Sequence, residues 1–216
     1  MKTASLKFIQ SFLLLICCTV SVVAQDPTRY QAEIDAINNR DISKGGIIFT
    51  GNSSIRLWPN LNDWFPEVEV YNLGFGGSET SELLYHANEL IIKHQPRKVF
   101  IYEGDNDVNS GKSAARIITD MEFLVRKIEK ESPKTEIYLI SAKPSEERWH
   151  LREKYEEFNA LLEDFCKENE LVFIDVWDAM LDAEGEIRPN LYEADPLHVN
   201  ENGYKIWQSQ ISPYVN

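Results

Sequence analysis

The chain has 216 residues, with 35 Asp or Glu against 22 Lys or Arg, and so a formal net charge of −13 at pH 7. That length suits one domain with a substantial core. So acidic a surface argues against nucleic acid or an anionic membrane as a partner.

The N-terminus has the anatomy of an export signal: Lys2 and Lys7 precede a mostly apolar run over residues 8–23, and Val22, Val23 and Ala24 offer small residues before Gln25. The expectation is a cleaved signal peptide over residues 1–24, a domain over 25–216 and a secreted or periplasmic protein with no stable membrane insertion after cleavage. The run is short for a bilayer span. Cleavage removes Cys17 and Cys18 and leaves Cys166 alone. One thiol builds no internal disulfide framework, so the domain relies on its core.

A short amphipathic helix is expected over residues 30–38. Apolar runs at 47–49, 68–71, 99–102, 137–140 and 172–176 then read as buried strands. Helical spacing lies between them, at 79–94, 113–130 and 146–168, with a last helix at 201–210. Near-continuous β-branched and aromatic runs suit a sheet covered on both faces. Strict β–α alternation predicts an α/β fold with a parallel, doubly wound sheet. No internal repeat or interdomain linker interrupts it.

Polar and glycine-rich motifs fall just after the strands. Gly51, Asn52 and Ser53 follow the first, Asn72 to Gly77 the second, and Gly104, Asp105, Asn106 and Asp107 the third. Ser141, Ala142, Lys143 and Pro144 follow the fourth, and Asp195 to His198 lie after the fifth. All would gather along the carboxyl edge of the sheet, where open α/β folds place their ligands. Ser53 would sit at a tight turn into a helix, beside N–H groups that favour developing negative charge. Asn52, Ser53 and Ser54 also spell a glycosylation acceptor, but a sugar there would block this turn.

Ser53 needs a base. His86, His94 and His150 lie within helical stretches, whereas His198 lies in a loop three residues beyond Asp195. At that spacing the carboxylate can reach one imidazole nitrogen and leave the other to face Ser53, the arrangement of a nucleophilic serine. The plainer reading is a capping aspartate and a surface histidine. Donors for a tetrahedral oxyanion are available in the Gly77 N–H, the Asn106 amide and the Ser53 N–H, although turn glycines and a loop-closing amide account for the same residues. Glu103, Asp105, Asp107 and Asp195 with His198 could form a metal set, but no paired-histidine or D-x-H spacing supports it. No cofactor is expected, since no G-x-G-x-x-G or P-loop follows any strand. Lys143, Arg148 and Trp149 should lie at the pocket rim, where Arg148, Trp149 and Asn52 are candidate substrate contacts; the alternative for Trp149 is packing.

Gly51-Asn52-Ser53, Gly77 within its loop, Gly104-Asp105-Asn106-Asp107 and Asp195-x-x-His198 resemble the four blocks of the GDSL/SGNH hydrolases. The secreted branch similar to platelet-activating-factor acetylhydrolase and carbohydrate acetylesterases comes nearest. The resemblance spans the mature chain and implies a three-layer α/β/α sandwich, flavodoxin-like, around a five-stranded parallel sheet. It implies Ser53 as nucleophile, Asp195 and His198 as its triad partners, and Gly77 and Asn106 with the Ser53 N–H as the oxyanion hole, without a metal. The implied activity is hydrolysis of short-chain, chiefly acetyl, esters of a small-molecule or carbohydrate substrate. One departure is that Asn52 stands where the first block has aspartate. The alternative is a non-catalytic carbohydrate-binding or interaction domain on the same fold.

Overall fold

The computed structural model describes residues 28–216. The expected signal peptide and its cleavage point lie outside them.

Helix α1 (Gln31–Asn38) leads into strand β1 (Ile47–Gly51), the single-turn helices α2 (Ser53–Arg56) and α3 (Leu61–Trp64), and β2 (Val70–Gly74). Then come α4 (Thr80–Tyr85), α5 (Ala87–Leu90), β3 (Lys98–Tyr102), α6 (Asp105–Asn109), α7 (Ala114–Glu131) and β4 (Glu136–Ile140). Helix α8 (Arg152–Glu168), β5 (Val172–Ile174) and α9 (Glu201–Val215) complete the order.

The five strands are all parallel, in the order β2-β1-β3-β4-β5. This is the flavodoxin-like order, whose reversal point lies between β1 and β3. Alternate side chains explain the three layers, because successive residues of a strand point to opposite faces. Ile48, Leu73, Val99, Ile101 and Leu139 face one core with α1, α4, α5, α7 and α8. Ile47, Phe49, Phe100, Tyr102 and Tyr138 face the other, against Trp58, Tyr204 and Trp207. In-register Phe49, Phe100 and Tyr138 stack across three strands at 4.6 Å centroid spacing.

Besides a β1 that runs on to Gly51, a β5 that stops at Ile174 and an α9 that extends to Val215, three boundaries differ from the expected ones. β2 starts at Val70 and runs on through Asn72 and Gly74, because the parallel ladder pairs Ile47 with Val70 and Gly51 with Gly74. Local hydrophobicity does not see that pairing. The single helix expected over 79–94 is three pieces, broken where the backbone leaves helical geometry at His86 and Ile91. Its apolar spacing survives the breaks, since Leu83, Ala87, Leu90 and Ile91 all remain buried. The third is α8, which begins at Arg152 after a 3-10 turn at Trp149–Leu151, so that residues 141–148 form a loop across the sheet edge. Cys166 is a buried, free thiol, and burial pushes its pKa up to about 12.

Candidate active site

The site grows from the end of β1. Gly51 has φ +135°, and a Cβ there would lie 2.0 Å from the Tyr102 carbonyl oxygen. Only glycine lets the ends of β1 and β3 approach so closely. Asn52 caps α2 by accepting the Ser54 N–H at 3.0 Å. Helix α2 is a single turn, too short for a helix macrodipole, so the polar contribution there is the Ser53 N–H itself, which no described residue accepts. Ser54 is buried, whereas the Ser53 hydroxyl is partly exposed and meets His198.

Ser53 Oγ lies 3.0 Å from His198 Nε2, across 145 residues of sequence. His198 Nδ1 lies 2.9 Å from Asp195 Oδ2. With Nδ1–H donating to that carboxylate, Nε2 is left as acceptor for the serine proton. Asp195 Oδ1 also accepts the His198 N–H at 2.6 Å and the Leu197 N–H at 3.0 Å. These contacts, the His198 N–H first, hold the Asp195 carboxyl down at about 2 although it is half exposed.

The loop carrying this pair is tied to the loop after β4. Buried Lys143 donates from Nζ to the Leu197 carbonyl at 2.8 Å, and Tyr192 Oη donates to the Pro144 carbonyl at 2.7 Å. The Glu147 N–H donates to the Pro196 carbonyl at 3.2 Å. Burial lowers the Lys143 ammonium to about 8.

Helix α6, which follows β3, carries Asn106. Its Nδ2 donates to the Ser78 carbonyl at 2.9 Å, while its Oδ1 accepts from Arg148 Nη2 at 2.9 Å. A second amide hydrogen remains, which no described residue accepts. The backbone N–H of Gly77 is not free: it donates to Tyr30 Oη at 3.0 Å.

Beneath the serine turn is a buried polar network. Asn52 Nδ2 donates to Asp105 Oδ1 at 2.6 Å and to Glu103 Oε2 at 3.4 Å. Ser78 Oγ donates to Glu103 Oε1 at 2.6 Å. Glu103 is fully buried, and desolvation pushes its pKa well above the ordinary value against the hydrogen bonds from Ser78 and Asn52. An asparagine suits this position because its NH2 group donates to two carboxyl groups. Asp107 serves packing: it accepts the Thr80 N–H at 2.9 Å and pairs with Lys112 at 2.7 Å. No group of three or more His, Cys, Asp or Glu gathers in metal-holding geometry among the described residues.

The candidate substrate contacts occupy different places. Asn52 is fully buried. Arg148 turns inward, with Nη1 donating to the Asp105 carbonyl at 3.1 Å and lying 3.6 Å from its carboxylate. Trp149 stacks on Trp177, with centroids 6.0 Å apart, and lies under the Arg152 guanidinium. A groove of about 640 Å³ borders His198 and is lined by none of these three residues but by Leu57, Trp64, Glu193 and Tyr204 among others. Sequence reasoning missed Tyr30, which stands out in no local motif; Glu103, weighed there only as a member of a metal set, instead anchors Asn52 and Ser78.

A serine, an imidazole and a carboxylate in hydrogen-bonded series, at the switch point of a flavodoxin-like sheet, define a serine-hydrolase type of site. The chain belongs to the GDSL-like lipase/acylhydrolase family, whose model matches residues 45–206. It is 28% identical over 190 residues to an N-acylneuraminate cytidylyltransferase of Escherichia coli, covering 84% of this chain and 43% of that protein. It is 25% identical over 121 residues to the platelet-activating factor acetylhydrolase IB subunit alpha2 of Gallus gallus, covering 54% and 52%. The chain thus spans about half the length of the curated relatives it matches. Among solved structures, a GDSL-like lipase from Bacteroides thetaiotaomicron superposes with a TM-score of 0.76 over 88% of this chain and 98% of that one, at 20% identity. That likeness is one of fold.

Proposed function

We propose that this protein is an exported serine esterase that removes a short acyl group, chiefly acetyl, from a hydroxyl-bearing small molecule or carbohydrate. The observation that carries the reading is the 3.0 Å approach of Ser53 Oγ to His198 Nε2, with Asp195 2.9 Å behind the ring. Ser53 attacks the ester carbonyl while His198 takes its proton, and Asp195 steadies the imidazolium. The Ser53 N–H and the Asn106 amide receive the negative charge that develops on the carbonyl oxygen. His198 then protonates the leaving alcohol, water attacks the acyl-enzyme with His198 again as base, and the carboxylic acid departs.

The alcohol leaves on the His198 side, toward the groove lined by Leu57, Trp64 and Tyr204. Asp63, Glu193 and Glu201 at that groove disfavour anionic lipids there. The relative from Gallus gallus is an acetylhydrolase by name, which favours a short acyl group. Export rests on the residues 1–24 signal, and the mature N-terminus is then Gln25. Among the described residues no helix is long and apolar enough to cross a membrane.

A fluorophosphonate probe tests the chemistry. Wild type is labelled and Ser53→Ala is not; an unlabelled wild type would instead favour a binding domain. A chain-length series of para-nitrophenyl esters tests the acyl preference, and faster hydrolysis of long chains than of acetate contradicts it.

A further inference from the structure

Upstream of the family match, which begins at residue 45, one turn of chain takes hold of the glycine loop after β2. Glu33 Oε2 accepts the Gly76 N–H at 2.8 Å, Tyr30 Oη accepts the Gly77 N–H at 3.0 Å, and Arg29 Nη2 donates to the Gly77 carbonyl at 3.1 Å. Arg29 is itself held by buried Glu82. The Tyr30 ring packs edge-on to Phe75 at 5.5 Å, under the Arg29 guanidinium at 4.5 Å. Gly76 leaves room for it: a Cβ there would lie 2.0 Å from the ring. The phenol is therefore held rigidly from several directions.

Its oxygen shares an opening with the Asn106 amide, the side-chain donor proposed above for the acyl oxygen. A methyl group at Gly77 would lie 3.7 Å from Tyr30 Oη and 3.8 Å from Asn106 Nδ2, so both polar atoms line the same opening. No described residue accepts the Tyr30 hydroxyl proton. We infer that Tyr30 is an oxyanion donor: its hydroxyl accepts the Gly77 N–H and presents its own proton to the acyl oxygen, beside the amide of Asn106. The inference rests on Ser53 being the nucleophile. A hydroxyl that accepts a hydrogen bond becomes a better donor, so the chain N–H → O–H → oxyanion strengthens as negative charge develops. Burial raises the Tyr30 pKa, so the phenol keeps its proton through the neutral range. The N-terminal segment thus completes a site whose remaining parts all lie within the family match.

Tyr30→Phe is the test, because it keeps the ring that packs on Gly76 and Phe75 and removes only the hydroxyl. With para-nitrophenyl acetate the expected result is a fall in kcat of roughly 10- to 10²-fold with KM within about twofold, since the freed Gly77 N–H replaces part of the lost donation. The discriminating measurement repeats the assay with the thiono ester, whose sulfur is a poor hydrogen-bond acceptor. The oxo-to-thiono rate ratio falls in Tyr30→Phe if the hydroxyl donates to the reacting oxygen. An unchanged kcat, a raised kcat (a plug displaced by substrate) or an equal fall with both esters overturns the inference. Fluorophosphonate labelling of wild type separates the two levels. A labelled wild type with any of those three results sinks the Tyr30 role alone, and an unlabelled one sinks the esterase reading with it.

Discussion

Arg148 and Asn106 meet end to end, with the guanidinium Nη2 donating to the amide Oδ1 at 2.9 Å. The contact orients the amide: the oxygen is held by a partly buried cation and the NH2 group points toward Ser78 and the opening above Gly77. Asn106→Ala is expected to lower kcat by roughly 10²–10³. Arg148→Met leaves the amide free to turn over and is expected to lower kcat about tenfold with little change in KM. If Arg148 acts through Asn106, the double variant is no slower than Asn106→Ala alone. Steady-state kinetics of the three variants check this.

Asp195 has two duties, orienting the His198 ring and capping the turn through the Leu197 and His198 N–H groups. Asp195→Asn is expected to lower kcat by roughly 10³–10⁴, because the amide favours the wrong imidazole tautomer. Its folded pKa of about 2 lies below the ordinary carboxyl value of about 3.9. The stabilisation it supplies is therefore present above about pH 4 and lost as pH falls toward about 2. Denaturation of wild type and Asp195→Asn across that range should show their difference shrinking with acid.

Asn52→Asp restores the family's first-block residue and is expected to damage this protein. The cap to the Ser54 N–H survives, but a third carboxyl group then faces Glu103 and Asp105 where an NH2 group donated to both. A loss of roughly 2–4 kcal/mol at neutral pH is expected. A carboxyl buried there has a raised folded pKa, so the penalty belongs to the ionised form and fades as pH falls. Urea denaturation at neutral pH and near about pH 5 checks the sign.

Lys143 links the loop after β4 to the loop bearing His198 through the Leu197 carbonyl. Lys143→Met keeps the volume and removes that bond, and kcat is expected to fall about tenfold as the imidazole loses its fixed position. The lysine's folded pKa of about 8 lies below its ordinary value of about 10.4. Burying the charged form costs stability below about pH 8, and that cost is relieved as pH rises toward 10.4. Wild type should therefore gain on Lys143→Met across this interval, read by denaturant midpoints at its two ends.

The alternation of apolar strands and amphipathic helices predicted the parallel sheet, because burial on two faces leaves its mark within a few residues. β3 and β4 fall within a residue of their expected ends for that reason. β2 does not, because its start depends on the register with β1 rather than on its own hydrophobicity. The glycine and polar motifs after each strand made Ser53, Asn106, Asp195 and His198 legible as candidates, since turn chemistry is also local.

What residues stand opposite one another is a different kind of information. The contact between Ser53 and His198 spans 145 positions and exists because the start of α9 packs on the segment after β1, with Tyr204 donating to the Ser54 carbonyl at 2.8 Å and stacking on Trp58 at 4.9 Å. The inward turn of Arg148, the desolvation of Glu103 and the Tyr30 hydroxyl on Gly77 likewise have no signature along the chain. They follow from desolvation and from hydrogen-bond partners that approach only once the layers close. Composition and periodicity thus determined the layers and their candidate chemistry; packing decided which donor meets which acceptor.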